Sequence, residues 1–197
     1  DWISTIRGRN IGIYNDVYLT TSGDVTLQDP FVQTILSQPD RKATLTPEIF
    51  VTNHSTSPVA GSLKGKIGDI TFEQSVELSA GEKRAVKFDP SHFSQLKEQA
   101  LKLWWPKGYG EPYLYDAEFE FAIDGKISDK KECKVGIRQM EFTADNGILS
   151  LFVNGRRFIG RGGNWGFSEN NLRYRAREYD IAIQYHADMN FTIMRNW

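Results

Sequence analysis

The sequence predicts a mainly β protein: a two-sheet β-sandwich followed by the first strand, helix and strand of a parallel α/β fold. Three observations carry this. From Val25 to about Met140, short strand-like runs recur between turn signals. Helical periodicity there is confined to Ser91 through Ala100. After Met140 the pattern changes to a tight hairpin, a glycine-rich stretch, a helix-spaced segment and a buried strand-like run.

Before the sandwich, Gly12 to Leu19 reads as a strand, with Ile13, Val17 and Leu19 on one face and Asn15 interrupting it. The sandwich strands are then Val25 to Val32, Lys42 to Thr52, Gly61 to Ile67, Ile70 to Leu78, Lys83 to Phe88, Tyr115 to Ile123 and Lys131 to Ile137. Phe119, Phe121 and Ile123 alternate with Glu118, Glu120 and Ala122, and Asp124-Gly125 suits a two-residue hairpin turn. This alternation sends Glu118 and Glu120 to solvent, so they read as solvating residues and not as a catalytic pair.

Leu103 to Tyr115 holds five aromatics, two prolines and two glycines in thirteen residues. That composition suits neither an amphipathic helix nor an alternating strand, so it predicts a shaped turn. Pro106 fixes φ, and Gly108 and Gly110 permit angles closed to other residues. Large aromatics pack far more often than they bind, so the turn reads as an aromatic plug at one end of the sandwich; the competing reading is a sugar-binding platform.

After Met140, Ile148 to Val153, Asn154-Gly155 and Arg156 to Ile159 predict a hairpin. Gly160 to Gly166 is glycine-rich. Leu172, Ala176, Tyr179, Ile183 and His186 follow at spacings of four, three, four and three, one face of a helix over 171–188. Phe191 to Arg195 then reads as a buried strand.

A net charge of -1 and a pI of about 6.4 exclude the strong basic excess of a nucleic-acid binder and suit an uncharged partner such as a sugar. The single cysteine, Cys133, forms no internal disulfide and no Cys-based metal site. His54, His92 and His186 share no metal-like spacing, and His186 reads as a satisfied core histidine. Gly160 to Gly163 lacks the spacing of a phosphate loop. Neither metal nor cofactor is expected. No apolar run is long enough to span a bilayer, so no membrane partner is expected. Asn53-His54-Ser55 and Asn190-Phe191-Thr192 fit the glycosylation sequon, the second at the entry to a strand. The chain opens at Asp1-Trp2 without an initiator methionine and stops at Trp197 inside an apolar run, which reads as a piece of a longer protein.

Leu103-Trp104-Trp105-Pro106, with Gly108, Gly110, Pro112, Leu114 and Tyr115, resembles the signature of the immunoglobulin-like second domain of glycoside hydrolase family 2, in the branch of β-mannosidases and exo-β-glucosaminidases. The similarity runs from about Gly8 to the last residue. Phe152-Val153-Asn154-Gly155, Phe158-Ile159, Arg161-Gly162-Gly163-Asn164-Trp165, Ala187-Asp188-Met189-Asn190 and Ile193-Met194-Arg195-Asn196-Trp197 resemble the entry to that family's (β/α)8 catalytic barrel. Many relatives have Gly-Ala-Asn-Trp at the position of Gly162 to Trp165, and Arg-Val-Trp at that of Arg195 to Trp197; these departures bear on the substrate sub-class.

The resemblance implies three parts: residues 1–22, the last strand of a preceding jelly-roll sugar-binding domain; 23–140, an immunoglobulin-like β-sandwich; and 141–197, the start of the barrel. It implies retaining hydrolysis of terminal β-linked sugars by two glutamates about 5 Å apart. In the family these lie on the fourth and seventh barrel strands, so neither is in this chain and the chain alone is expected to be inactive. The expected substrate-binding residues are Asn164, Trp165, Glu169, Arg195 and Trp197, gathered at the C-terminal ends of the first two barrel strands. Arg195 is expected beside the nucleophile, and Trp165 or Trp197 against an apolar sugar face. The parent reads as β-mannosidase-like, with exo-β-glucosaminidase, β-galactosidase and a non-catalytic carbohydrate-binding module as alternatives. A periplasmic or secreted location is expected from the resemblance, and self-association from the helix face of Leu172, Tyr179 and Ile183.

Overall fold

The computed structural model describes Gly12, Ile13 and residues 16–165 and 176–196. These residues are mainly β and divide into two compact units. One comprises Thr20–Trp105 and Glu111–Arg157; the other contains Pro106–Gly110 and the described part of Phe158–Trp197.

The first unit is a sandwich of two antiparallel sheets. One sheet has the order β1 (Val25–Leu36), β2 (Ala43–Asn53), β5 (Lys83–Lys87). The other has the order β4 (Ile70–Leu78), β3 (Val59–Ile67), β6 (Tyr115–Ile123), β7 (Lys126–Val135). Alternation sets which face turns inward: β2 buries every second residue from Ala43 to Asn53. Leu27, Leu45, Ile49, Leu63, Ile67, Phe119 and Phe121 meet between the sheets, and Phe88 packs edge-on against Phe72 at 4.5 Å and Phe93 at 5.3 Å. Glycines on β3 make room for two of these rings. A Cβ at Gly65 would lie 1.9 Å from Cε2 of Phe72, and one at Gly61 would lie 2.5 Å from Cε1 of Phe121.

Side chains of β7 in the facing sheet, and Gln139 just beyond it, seal the outer edge of β1. Val25 N–H donates to Ser128 Oγ at 2.9 Å, Leu27 N–H to Asp129 Oδ2 at 2.8 Å and Leu36 N–H to Gln139 Oε1 at 2.6 Å. An open strand edge is a pairing hazard, and these bonds remove it.

Several expectations are corrected. β1 continues to Leu36 through a bulge at Asp29-Pro30, where Asp29 has φ of 51°. β7 starts at Lys126, directly after the Asp124-Gly125 turn. The helix expected from Ser91 to Ala100 is a single 3-10 turn, Ser94–Leu96. Lys97 in extended backbone ends it, Glu98 follows at φ of 49°, and Gln99 then exchanges both backbone hydrogen bonds with Ala43. The strand expected over 12–19 is not formed by its described residues; Ile13, Val17 and Leu19 are exposed and carry no ladder, while Tyr14 and Asn15 lie outside the described residues.

A further antiparallel sheet has the order β10 (Arg156–Phe158), β9 (Ile148–Val153), β8 (Met140–Asp145). The expected Asn154-Gly155 hairpin is present, with φ of 52° and 73°. A second turn of the same kind, Asn146-Gly147 at 53° and 75°, joins β8 to β9.

Candidate functional site

In the second unit, β11 (Gly162–Trp165), helix α1 (Ala176–Asp188) and β12 (Ile193–Asn196) form a strand-helix-strand, and the two strands pair in parallel. The first strand lies inside the glycine-rich stretch, so Asn164 and Trp165 end that strand and do not follow it. Gly162 explains why: a Cβ there would lie 1.7 Å from the carbonyl oxygen of Ile193. Only glycine lets the two backbones come this close.

Thr192 ties the strand entries together. Its Oγ1 accepts from Arg161 N–H at 2.9 Å and donates to the Ile159 carbonyl at 3.0 Å, and its N–H donates to the Arg161 carbonyl at 2.8 Å. α1 closes with Asn190 in the left-handed region at φ of 62°. Asn190 N–H donates to Ala187 O and Phe191 N–H to His186 O, both at 3.0 Å. The exposed Asn190 of the second sequon therefore forms a helix cap. In the first sequon the buried Asn53 donates to the Ser57 and Ser79 carbonyls and accepts from Ser55, so its amide is fully engaged.

The register sets Asn164 opposite Arg195 and Trp165 opposite Asn196. Directly paired residues share a face of a sheet, so Asn164 and Arg195 stand side by side at the C-terminal end of the strand pair, and both are exposed. Trp165 is half-buried, with its indole edge-on to Tyr179 at 5.4 Å and tilted to His186 at 6.2 Å. His186 is half-buried, with Nδ1 2.6 Å from the Ala182 carbonyl and its ring against Phe191. Ile183, on the helix face expected to be short of neighbours, is half exposed. Glu169, Leu172 and Trp197 lie outside the described residues.

The aromatic turn is mostly packed. Trp104 is half-buried, donates its backbone N–H to the Ile137 carbonyl at 2.9 Å and carries the Arg138 guanidinium 4.5 Å from its ring centre. The Arg41 guanidinium is 5.8 Å from the Trp105 ring. Within the second unit, the Tyr109 hydroxyl accepts from Ile159 N–H at 2.8 Å and its ring lies 5.4 Å from Phe158. Gly108 uses its freedom at φ of 81°.

Glu118 pairs with Lys130 at 3.0 Å, and Lys130 also reaches Glu132 at 2.9 Å. Hydrogen bonds that the Lys130 ammonium donates to these carboxylates, to Glu132 first, push it well above the usual lysine range. The Lys102 ammonium is likewise pushed up, chiefly by its bond to Glu111. These are surface charge pairs, not acid/base catalysts. Among the described residues no group of acidic, histidine or cysteine side chains is placed to hold a metal, and no helix is long and apolar enough to cross a membrane.

Residues 25–138, spanning β1 through β7, match the family model for glycosyl hydrolases family 2. The chain belongs to that family. Among family 2 relatives, it is similar to a mannosylglycoprotein endo-β-mannosidase from Lilium longiflorum, 35% identical over 208 residues, covering 100% of this chain and 22% of the relative. It is 30% identical over 197 residues to an exo-β-D-glucosaminidase from Streptomyces avermitilis, covering 99% of this chain and 22% of the relative. The crystal structure of Amycolatopsis orientalis exo-chitosanase CsxA superposes with a TM-score of 0.74 at 25% identity, covering 89% of this chain and 20% of that one. The chain thus spans about a fifth of the length of these family 2 proteins.

Sequence reasoning missed the second hairpin, the strand character of Gly162 to Trp165 and the side-chain role of Asn154. For the first two the signals were present: Asn146-Gly147 between apolar runs, and a glycine pair just before Asn164-Trp165.

Proposed function

We propose that the chain is part of a longer retaining β-glycosidase that removes terminal β-linked sugars, β-mannosidase-like, with exo-β-glucosaminidase as the nearest alternative. In this reading residues 1–22 end a jelly-roll sugar-binding domain, 23–140 form an immunoglobulin-like sandwich that braces the enzyme, and 141–197 open a (β/α)8 barrel. The observation that carries it is the parallel pairing of β11 with β12 through α1. A strand-helix-strand of this kind is the repeating unit of such a barrel, whose chemistry sits at the C-terminal strand ends.

At those ends Asn164, Arg195 and Trp165 form the beginning of a substrate rim, and Glu169 and Trp197, outside the described residues, are the further substrate-binding residues of this reading. Arg195 favours the ionised form of a neighbouring carboxylate nucleophile, and Asn164 offers both donor and acceptor to sugar hydroxyls. The packing of Trp165 against Tyr179 makes it a wall of the rim more than a free stacking platform. The acid/base and nucleophile glutamates belong to later barrel strands, so this chain alone hydrolyses nothing. A periplasmic or secreted location fits a polysaccharide-degrading role. Exposed Ile181, Ile183 and Tyr185 on α1 favour self-association of the chain on its own.

The experiment is proton NMR of the longer protein acting on aryl β-mannoside, β-glucosaminide and β-galactoside. The β anomer of mannose or glucosamine is the expected first product. An α anomer as first product excludes the retaining mechanism, and cleavage of the galactoside alone excludes the mannosidase and glucosaminidase readings.

A further inference from the structure

We propose that Asn146-Gly147 is a site of spontaneous deamidation, and that the fold holds Asn154-Gly155 against the same reaction. The chemistry needs only solvent. Base removes the proton from the Gly147 backbone nitrogen, which attacks Cγ of Asn146. A C–N bond forms, the bond from Cγ to Nδ2 breaks, and ammonia leaves with a proton from water. Water then opens the cyclic imide at either carbonyl, leaving an aspartyl or an isoaspartyl residue at 146. Glycine favours the reaction because no side chain shields the attacking nitrogen.

The backbone does not distinguish the two dipeptides: φ is 53° and 75° at Asn146-Gly147 and 52° and 73° at Asn154-Gly155. Side-chain restraint does. Asn154 is fully buried, its Oδ1 accepts from Gln139 N–H at 2.9 Å, and its Nδ2 donates to the Trp104 carbonyl at 2.9 Å. The imide cannot close until both bonds break and the side chain leaves its pocket. Asn146 is exposed and makes no side-chain hydrogen bond among the described residues.

The Asn146 turn is also the easier one to open. Gly147 N–H reaches the Ala144 carbonyl at 3.4 Å, a long bond. β8 is an edge strand exposed at all six residues, and hairpin ends of this kind open at small cost. Met140, Phe142 and Ala144 share one face with their partners Val153, Leu151 and Leu149. An isoaspartyl linkage inserts a backbone methylene where that face turns over, and either product adds a negative charge beside it.

The test is to hold the folded chain at mildly alkaline pH, sample over days, and measure both dipeptides by peptide mass spectrometry with enzymatic methylation of isoaspartate. The same time course is run in guanidinium. Amide loss at Asn146 is expected to exceed that at Asn154 by about tenfold or more in the folded chain, with the difference vanishing in the unfolded chain. Equal rates in the folded chain overturn the proposal, as does an intact Asn146 in the folded chain when the unfolded chain loses it. A difference that persists in guanidinium overturns the structural protection of Asn154.

Discussion

The side-chain amide of Asn154 donates to the backbone carbonyl of Trp104 at 2.9 Å, joining a hairpin turn to the aromatic turn 50 residues earlier. The same side chain accepts from Gln139 N–H, and Gln139 in turn accepts from Leu36 N–H, so one buried asparagine organises the end of β1, the aromatic turn and the β9–β10 hairpin. Replacing Asn154 by Ala leaves a part-buried carbonyl and a part-buried N–H unpaired. The expected loss is about 3 kcal/mol of unfolding free energy, measured by guanidinium denaturation. A variant within error of the wild-type chain contradicts this role.

Gly65 is the complementary case in the core. Its missing side chain is where the Phe72 ring lies, and Phe72 in turn packs on Phe88 and Phe119. Gly65→Val displaces that ring from a close-packed interior. Overpacking of this kind costs about 3 kcal/mol, read as a lowered denaturant midpoint at unchanged slope.

These two positions also mark what the sequence makes legible. Alternation named the seven sandwich strands because burial follows a period of two, as β2 shows along its whole length. The Asn154-Gly155 turn was legible from its dipeptide, but its hold on Trp104 was not, since that contact joins residues far apart in sequence. The helical periodicity from Ser91 through Ala100 is overridden, because backbone pairing between Gln99 and Ala43 wins over local pattern. At the candidate site, Asn164 and Arg195 were expected at the same strand ends, and the register sets them opposite each other. The glycine pair before Asn164-Trp165 marked this strand only weakly, because glycine is a poor strand former on its own; Gly162 is selected here by the approach of Ile193.

Gly162→Ala therefore separates the two units experimentally. A methyl group 1.7 Å from the Ile193 carbonyl cannot be accommodated without moving backbone. Amide exchange over Gly162–Trp165 and Ile193–Asn196 is expected to lose its protection, while β1 to β7 keep theirs. Retained protection in β11 and β12 refutes the argument.

Burial pushes the Cys133 thiol above its usual range. The folded state prefers the protonated thiol, so this contribution to stability is complete below the ordinary thiol pKa and is lost as pH rises through the raised value. Alkylation by iodoacetamide at pH 8 is expected to be slower in the folded chain than in the unfolded one, with the half-rate pH displaced upward. Equal rates in the two states count against a shielded thiol.

The most direct measurement is hydrolysis of nitrophenyl β-mannoside and nitrophenyl β-glucosaminide by the longer protein and, in parallel, by this 197-residue chain. The longer protein is expected to release nitrophenol from at least one substrate, losing most of that activity on Arg195→Ala, while the chain alone releases none. Turnover by the isolated chain, or an inert longer protein, contradicts the assignment of these residues to the opening of a glycosidase barrel.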